Sequence, residues 1–182
     1  MVYLNNGLFI KGRCFSEMNN NEIMSLVLWQ PWASALFTKT QSGEGELIKK
    51  DETRSRKCSY RGDLLICSAL KNNLPLQREC LRKSLGYGGL NLKGDYSLEL
   101  FFESLPFGKV LGLVTMVDCI LMTPEVISSQ SQMAIDMGIW EEGRYQWIFE
   151  NHRPVNPFSS KGLVGQGFRK VNLSNLNLEF LS

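Results

Sequence analysis

The chain has 182 residues, of which 43% are hydrophobic and 21% charged, and these values are ordinary for one globular domain with a real core. The formal net charge is only +2, so a basic surface for a polyanion would have to be local. No apolar run approaches the roughly 20 residues that a membrane-spanning helix needs, which argues against a membrane partner.

The cysteines indicate a reducing compartment. Five cysteines are widely spaced, without a C-x-x-C pair, and the first residues lack the features of a secretion signal. We therefore expect free thiols and a cytoplasmic location. Only one histidine, His152, is present, so we expect no metal site, and no cofactor is implied. The cysteines are Cys14, Cys58, Cys67, Cys80 and Cys119.

The first elements follow a peripheral extension. Residues 1–22 are predicted to lie outside a single domain of residues 23–182. The apolar run 25–29 predicts a buried strand, and Pro31 suits the first position of a helix that ends near Thr38. A loop rich in Gly and Ser, residues 41–46, then leads into a charged segment.

The middle of the chain alternates apolar runs with helix signals. Continuous apolarity predicts buried strands, and Pro75 and Gly86 are typical of a helix start and stop. Glycines predict a loop over residues 86–94. The predicted strands are 64–69 and 110–122, and the predicted helices are 75–86 and 96–105.

The last third of the chain begins with a capped helix. Thr123, Pro124 and Glu125 supply a capping hydroxyl, a proline and a first-turn acid, and this helix is predicted to end by Gly138. An aromatic strand over 145–149, a loop with Pro154 and Pro157, and a terminal strand through Val171 follow. Short strands around helices, without a β-α-β rhythm, predict a mixed α+β, mainly β fold: a small barrel with helices packed at its ends. Its core is predicted to include Leu28, Leu65, Val114, Val117 and Trp147.

The most informative stretch is the charged segment between residues 49 and 61. Asp51 and Glu52 lie among six basic residues, and a strand-like run follows. Such a segment can line a site for an anionic or polar ligand, although a solvated loop explains a charge run equally well. The basic residues are Lys49, Lys50, Arg54, Arg56, Lys57 and Arg61.

Six short motifs occur in a meaningful order. They are an S-L-x-L-W-Q-P-W-A stretch (25–33), K-x-x-E-T-R (49–54), R-G followed by an apolar strand and A-x-K (61–71), G-x-V-x-x-V-D-C-like (112–119), G-x-Y-x-W-x-x-E-N (143–151) and K-G-x-x-G (161–165). In this order they resemble the ASCH family, whose members have a barrel related to the PUA RNA-binding domain. The resemblance covers about residues 25–171. It implies a small PUA-like β-barrel that binds RNA or a nucleotide.

Two departures from the family pattern matter. Residues 39–48 form a longer approach to the lysine than is usual, so Lys49 is preferred over Lys50 on its spacing to Glu52 alone. Residues 72–108 look like an insertion, which we expect to be a peripheral addition to the barrel.

The charged segment predicts a ligand site. Lys49 and Arg54 would hold Glu52 ionised and place donors around one acceptor, which suits the edge of a base. Trp29 or Trp32 would supply a stacking face, although tryptophans at such a junction are more often core residues. For Glu52 and Arg54 the alternative is an ion pair that closes the barrel. We expect Lys49, Glu52 and Arg54 to converge on one concave surface beside Gln30 and Trp32, which requires the chain to bend at Lys50-Asp51. The full set of predicted ligand-binding residues is Gln30, Trp32, Lys49, Glu52, Arg54, Arg61 and Lys71.

Three other functions are alternatives to ligand binding. Some relatives hydrolyse the amide of acetylated cytidine with a lysine, a threonine and a later glutamate, which implies catalytic roles for Lys49 and Glu52. Glu52 stands at the threonine position, Thr53 is displaced by one, and Glu141 or Glu142 would be the later acid. Other relatives act as nucleases, and a protein-interaction domain without catalysis is the third alternative.

Overall fold

The computed structural model describes residues 22–40, 45–70, 75–86, 98–165 and 167–181, so the predicted extension lies almost entirely outside the described residues. Six strands and five short helices make up the described chain. The strands are β1 (Glu22–Leu28), β2 (Glu52–Arg54), β3 (Gly62–Ser68), β4 (Lys109–Leu121), β5 (Tyr145–Ser159) and β6 (Arg169–Asn172). The helices are α1 (Trp32–Ala35), α2 (Pro75–Gly86), α3 (Leu98–Ser104), α4 (Pro124–Ser128) and α5 (Gln132–Asp136), and a 3₁₀ turn (Leu173–Asn175) follows β6.

The strands form one mixed sheet in the order β2-β5-β4-β3-β1-β6. Only β1 and β3 run parallel, and every other neighbouring pair is antiparallel. The mixed, mainly β class is therefore confirmed. The prediction of a closed barrel is wrong, because no pairing joins β2 to β6 within the described ranges. These edge strands have only three and four residues, which leaves little backbone for a closing ladder.

The main core lies on the face of the sheet that α1 covers. Phe168, just before β6, contacts both Trp147 of β5 and Tyr60, with ring centroids 5.6 and 5.5 Å apart. Aromatic contacts thus link residues next to the two opposite edges, although the backbone ladder does not. The buried members of this core are Leu26, Leu28, Ala33, Leu36, Cys58, Leu64, Ile66, Leu111, Val114, Met116, Cys119, Trp147 and Phe149.

The sheet also buries its other face. Leu65 and Cys67 alternate with Leu64 and Ile66 and pack into a second cluster, against which the C-terminal residues 173–178 lie. Burial on both faces explains why β3 is continuously apolar in sequence. The predicted core residues Leu28, Leu65, Val114 and Trp147 are buried.

Val117 is the exception among the predicted core residues, because it is only half-buried. The β4–β5 register shifts between Met116 and Asp118, where an irregularity interrupts the alternation of inward and outward side chains. The strict alternation of buried and exposed side chains along β4 is therefore interrupted at Val117.

β5 continues where a loop was predicted. It runs through Pro154 and Pro157 to Ser159. Across from β4, this half of β5 meets the C-terminal segment: Leu181 N donates to Pro154 O (2.9 Å), and Asn156 N donates to Glu179 O (2.8 Å). Proline is tolerated at such a thinly paired edge, where its missing N–H costs few ladder bonds.

The helix predicted from Thr123 to Gly138 is two helices. Thr123 caps α4 as expected, its hydroxyl accepting a hydrogen bond from Val126 N (3.4 Å). Ser131 then caps α5 by accepting from Ala134 N (3.2 Å). A second capping residue starts a new helix and breaks the first.

The region predicted as an insertion has a small apolar cluster of its own. Leu81, Phe102 and Leu105 are buried together, with Phe107 packed against them. Pro106 ties the region to the sheet, because its carbonyl accepts hydrogen bonds from Gln30 Nε2 (3.1 Å) and Ser68 Oγ (2.5 Å). Whether the domain folds without residues 72–108 stays a prediction.

The four cysteines within the described ranges, Cys58, Cys67, Cys80 and Cys119, are buried free thiols. Burial raises the pKa of Cys67 and of Cys80 to about 12. Cys14 lies outside the described residues. None of the described helices combines the length and the apolar composition that crossing a bilayer requires.

Gly112 in β4 marks a close approach between the sheet and α1. A Cβ there would lie 2.5 Å from both Arg153 O and Phe37 Cε1. We expect Gly112→Ala to lower the free energy of unfolding by about 1–3 kcal/mol, since the backbone carbonyl cannot move aside cheaply. Gly165→Ala is the control, because its Cβ would meet only Arg169 at 3.7 Å. Equal free energies of unfolding of both variants, measured in urea, would contradict the close packing at Gly112.

Candidate functional site

The site is built on β2, the shortest strand. Glu52 pairs with Trp147 of β5, and Arg54 pairs with Tyr145. Because side chains alternate along a strand, Glu52 and Arg54 project to the same face as these two aromatic residues. The Arg54 guanidinium lies 5.8 Å from the centroid of the Trp147 ring. That distance is within the range of a cation–π contact.

Lys49, Glu52 and Arg54 converge at the Glu52 carboxylate, as predicted, but of the three only Lys49 lines a cleft. Lys49 Nζ lies 3.3 Å from Glu52 Oε2, and Arg54 Nε lies 3.1 Å from Glu52 Oε1. The Lys49 ammonium also donates to Met137 O at 3.0 Å. The side chain of Lys49 is 4% exposed and that of Glu52 is 11% exposed, whereas that of Arg54 is 36% exposed. Arg54 is therefore the member of the trio that solvent reaches.

One oxygen of the Glu52 carboxylate is buried without a hydrogen bond. Glu52 Oε2 and Arg54 Nε lie within ion-pair distance of their partners, but neither has a hydrogen-bond partner among the described atoms. The carboxylate and the two cations therefore attract each other electrostatically, but Glu52 Oε2 and Arg54 Nε form no hydrogen bond of normal geometry. A buried acceptor in this condition costs free energy. Such a group is a candidate for contact with a ligand donor.

Asp51 fixes the bend that brings Lys49 to Glu52. Its carboxylate accepts from Gln146 Nε2 (2.6 Å) and from Phe149 N (3.1 Å), both on β5. The motif spacing gave no role to this acid. Its signal in the sequence is only its position at the predicted bend, next to Lys50.

Lys49 lines a cleft of about 240 Å³. One wall is the segment from Glu46 to Asp51, and the other is the end of α4 together with α5 and Trp140. The second wall is mostly apolar through Met133, Ala134, Met137 and Trp140. Trp140 is fixed there, since its Nε1 donates to Ala134 O at 2.7 Å. Sequence reasoning missed this wall, because no motif marks residues 130–140.

Gln30 and Trp32 lie away from the cleft. Gln30 is fully buried, with Nε2 donating to Pro106 O (3.1 Å) and Oε1 accepting from Ser34 N (3.2 Å). Trp32 is half-buried against Ala35, Ile48, Cys80 and Met137. Both side chains support the elements around the cleft, and neither lines it. Trp29, the other tryptophan considered, is 46% exposed.

Arg61 lies on the surface outside the cleft. It pairs with Asp118 at 2.7 Å and donates to Cys58 O at 3.0 Å, so it fastens the loop after β2 to β4. Lys71 lies outside the described residues, so its predicted role stays a prediction.

Thr53 lies on the face of β2 opposite to Glu52 and Arg54, because side chains alternate along a strand. Its hydroxyl oxygen accepts a hydrogen bond from Ile139 N at 2.9 Å, two residues after Met137, whose carbonyl accepts from Lys49. Glu141 and Glu142, the candidates for a later acid, are both exposed. Within the described ranges, no cluster of three His, Cys, Asp or Glu side chains is arranged to hold a metal ion.

His152 makes the free energy of unfolding depend on pH. Burial lowers the pKa of His152 below its ordinary value of 6.5, against a smaller opposing effect of its hydrogen bond with Lys50 O. The unfolded chain therefore takes up a proton at a higher pH than the folded chain does. We expect the free energy of unfolding to be fully retained above pH 6.5 and to fall as the pH drops below it.

Because His152 is the only histidine, one variant tests this prediction. Urea unfolding between about pH 7.5 and 5.5, above the range where most carboxylates titrate, should show a slope in the original chain and little slope in His152→Gln. The same slope in both proteins would contradict the assignment to His152.

Comparisons with known proteins do not assign the chain to a family. No family model matches the chain, and no curated protein matches it either. The resemblance to the ASCH family therefore rests on the six motifs and their order, and the function that it implies is a proposal.

Proposed function

We propose that the chain binds nucleic acid, with RNA as the first candidate, or a modified nucleotide. The ligand site is the cleft lined by Lys49, with Glu52 and Arg54 beside that lysine. The proposal includes the finer assignment to a PUA-like ASCH domain, to which the mixed six-stranded sheet and the motif order lend support. The observation that carries it is the buried Glu52 carboxylate, held between two cations with one oxygen lacking a hydrogen bond.

The chemistry of the trio suits the edge of a nucleobase. An exocyclic amine can donate to Glu52 Oε2, and Lys49 or Arg54 can donate to a carbonyl or phosphate oxygen. Oε2 is closed off from solvent in the free protein. A ligand therefore reaches Oε2 only after a side chain around the carboxylate moves.

The dimensions and the apolar wall of the cleft suit a small planar ligand. At about 240 Å³ the cleft is smaller than the 300–1,000 Å³ typical of pockets for drug-sized molecules. Trp140, Met133 and Ala134 offer it a mostly apolar surface. A single base or nucleoside matches such a space better than a bulky ligand does.

Exposed cations next to β2 supply a local positive charge. Arg56 and Lys57 lie two and three residues after Arg54, and both are exposed. Because the net charge of the chain is only +2, this local excess is what would attract phosphates.

The competing functions have weaker support. Amide hydrolysis of acetylated cytidine by a lysine and a threonine needs a hydroxyl at the threonine position, where this chain has Glu52, and the hydroxyl oxygen of the displaced Thr53 accepts from Ile139 N. A pure protein-interaction domain needs no pocket, whereas a cleft with a buried charge is present here.

Binding measurements with nucleosides and ribonucleotides test the proposal. Arg54→Ala should weaken binding by about 1–3 kcal/mol, the scale of one specific base contact, and Glu52→Gln should weaken it by a similar amount. Thermal melting of Arg54→Ala should change much less, because this arginine is partly exposed. Arg82→Ala is the control, because this exposed arginine on α2 pairs with Glu79 and lies outside the cleft.

Two outcomes would leave only a structural ion pair in β2. One is that Glu52→Gln and Arg54→Ala fail to fold. The other is that both variants fold and bind the same ligands as tightly as the original chain does.

A further inference from the structure

A second concave surface adjoins the cleft. It is an open depression of about 510 Å³ on the other side of the segment 45–50, which we call the strap. Three strap residues line both the cleft and the depression. The two spaces are therefore separated by the width of one chain segment. The depression is lined by Gly45, Glu46, Leu47, Lys50, Phe149 and His152.

The strap is a fixed ridge. Its backbone bonds to the segment after α1, with Thr40 N donating to Glu46 O (2.7 Å) and Ile48 N donating to Thr38 O (2.9 Å). The buried side chain of Ile48 anchors it from below. The fold therefore fixes the strap in its position between the cleft and the depression.

Lys50 is the exposed cation of the strap. Its ammonium pairs with Glu46 at 2.7 Å, with side chains 58% and 47% exposed. A pair so exposed is held weakly, because solvent screens it. Lys50 can therefore exchange the Glu46 carboxylate for another anion at little cost, and Glu46 competes with that anion.

His152 supplies a planar ring at the depression. It is half-buried, lies edge-on to Phe37 with ring centroids 6.4 Å apart, and its Nε2 lies 3.0 Å from Lys50 O. Burial keeps its pKa below 6.5, so the ring is neutral at pH 7 and above. A neutral ring held in one place is a suitable stacking partner for a base.

We propose that the depression at His152 is a second nucleotide subsite, so that the ligand is a nucleotide chain that crosses the strap at Lys50. One base enters the cleft at Lys49, the linking phosphate lies at Lys50, and the next base stacks on His152. This inference rests on the proposed function of the cleft and specifies its ligand as a chain of at least two nucleotides.

Binding of matched short ligands to the full chain tests the inference. The four ribonucleoside 5′-monophosphates are compared with diribonucleotides and short oligoribonucleotides, with deoxy versions as a parallel arm that separates RNA from DNA. The second base should tighten binding by about tenfold or more, the lower part of the range for one stacked base. His152→Gln should remove that gain and leave mononucleotide affinity unchanged. Glutamine keeps an N–H that can reach Lys50 O, so this variant separates ring stacking from support of the strap.

The two strap charges should act in opposite directions. Lys50→Ala should weaken oligonucleotide binding and reduce the slope of log K against log salt by about 0.7, the value for one phosphate contact on a single strand. Glu46→Gln should tighten the same binding, because it removes a competing carboxylate. Lys170→Ala is the matched control: Lys170 is also an exposed lysine in an ion pair, with Glu22 at 3.4 Å, and it lines neither space.

The outcomes distinguish the two proposals. Mononucleotide binding that depends on Arg54, with no gain from a second nucleotide and no effect of His152→Gln or Lys50→Ala, would overturn the second subsite and leave the cleft intact. If no probe binds at all, both proposals are overturned. Circular dichroism melting of each variant confirms that it is folded before its binding is compared.

Discussion

The site depends on the compensation of one buried positive charge. Lys49 is 4% exposed, and its ammonium contacts Glu52 Oε2 and Met137 O. These partners come from an edge strand and from the residue after α5, so satisfying the ammonium draws the two elements together. This contact places α5 and Met137 beside the segment from Glu46 to Asp51, and so forms the second wall of the cleft. Removing one partner of such a pair leaves an uncompensated buried charge, which is costly.

The central part of the fold was predictable because its signals are local. Continuous apolar runs identify β3 and β4, and the proline and glycine at 75 and 86 mark the ends of α2. Sheet closure and the second half of β5 depend instead on what meets each edge. No local pattern states that the C-terminal residues lie against Pro154 or that the register shifts beside Val117.

The candidate site was predictable to a similar extent. The period of two along a strand places Glu52 and Arg54 on one face, and a bend at Asp51 adds Lys49. The parts of the site that the sequence did not predict are those that distant segments contribute. Trp140 and its neighbours reach the cleft only through tertiary packing, and the amide of Gln30, predicted to face a ligand, is taken up by Pro106 and Ser34.

A single histidine lies against the strap. The imidazole of His152 touches Phe37 and the backbone of Lys50, and the sequence contains no second histidine. In a proton NMR spectrum the ring hydrogens of this residue form one set of imidazole signals, free of overlap with others of their kind. The unmodified protein thus carries a natural spectroscopic probe at the boundary between its two concave surfaces, and no isotope label or engineered side chain is needed to follow what happens there.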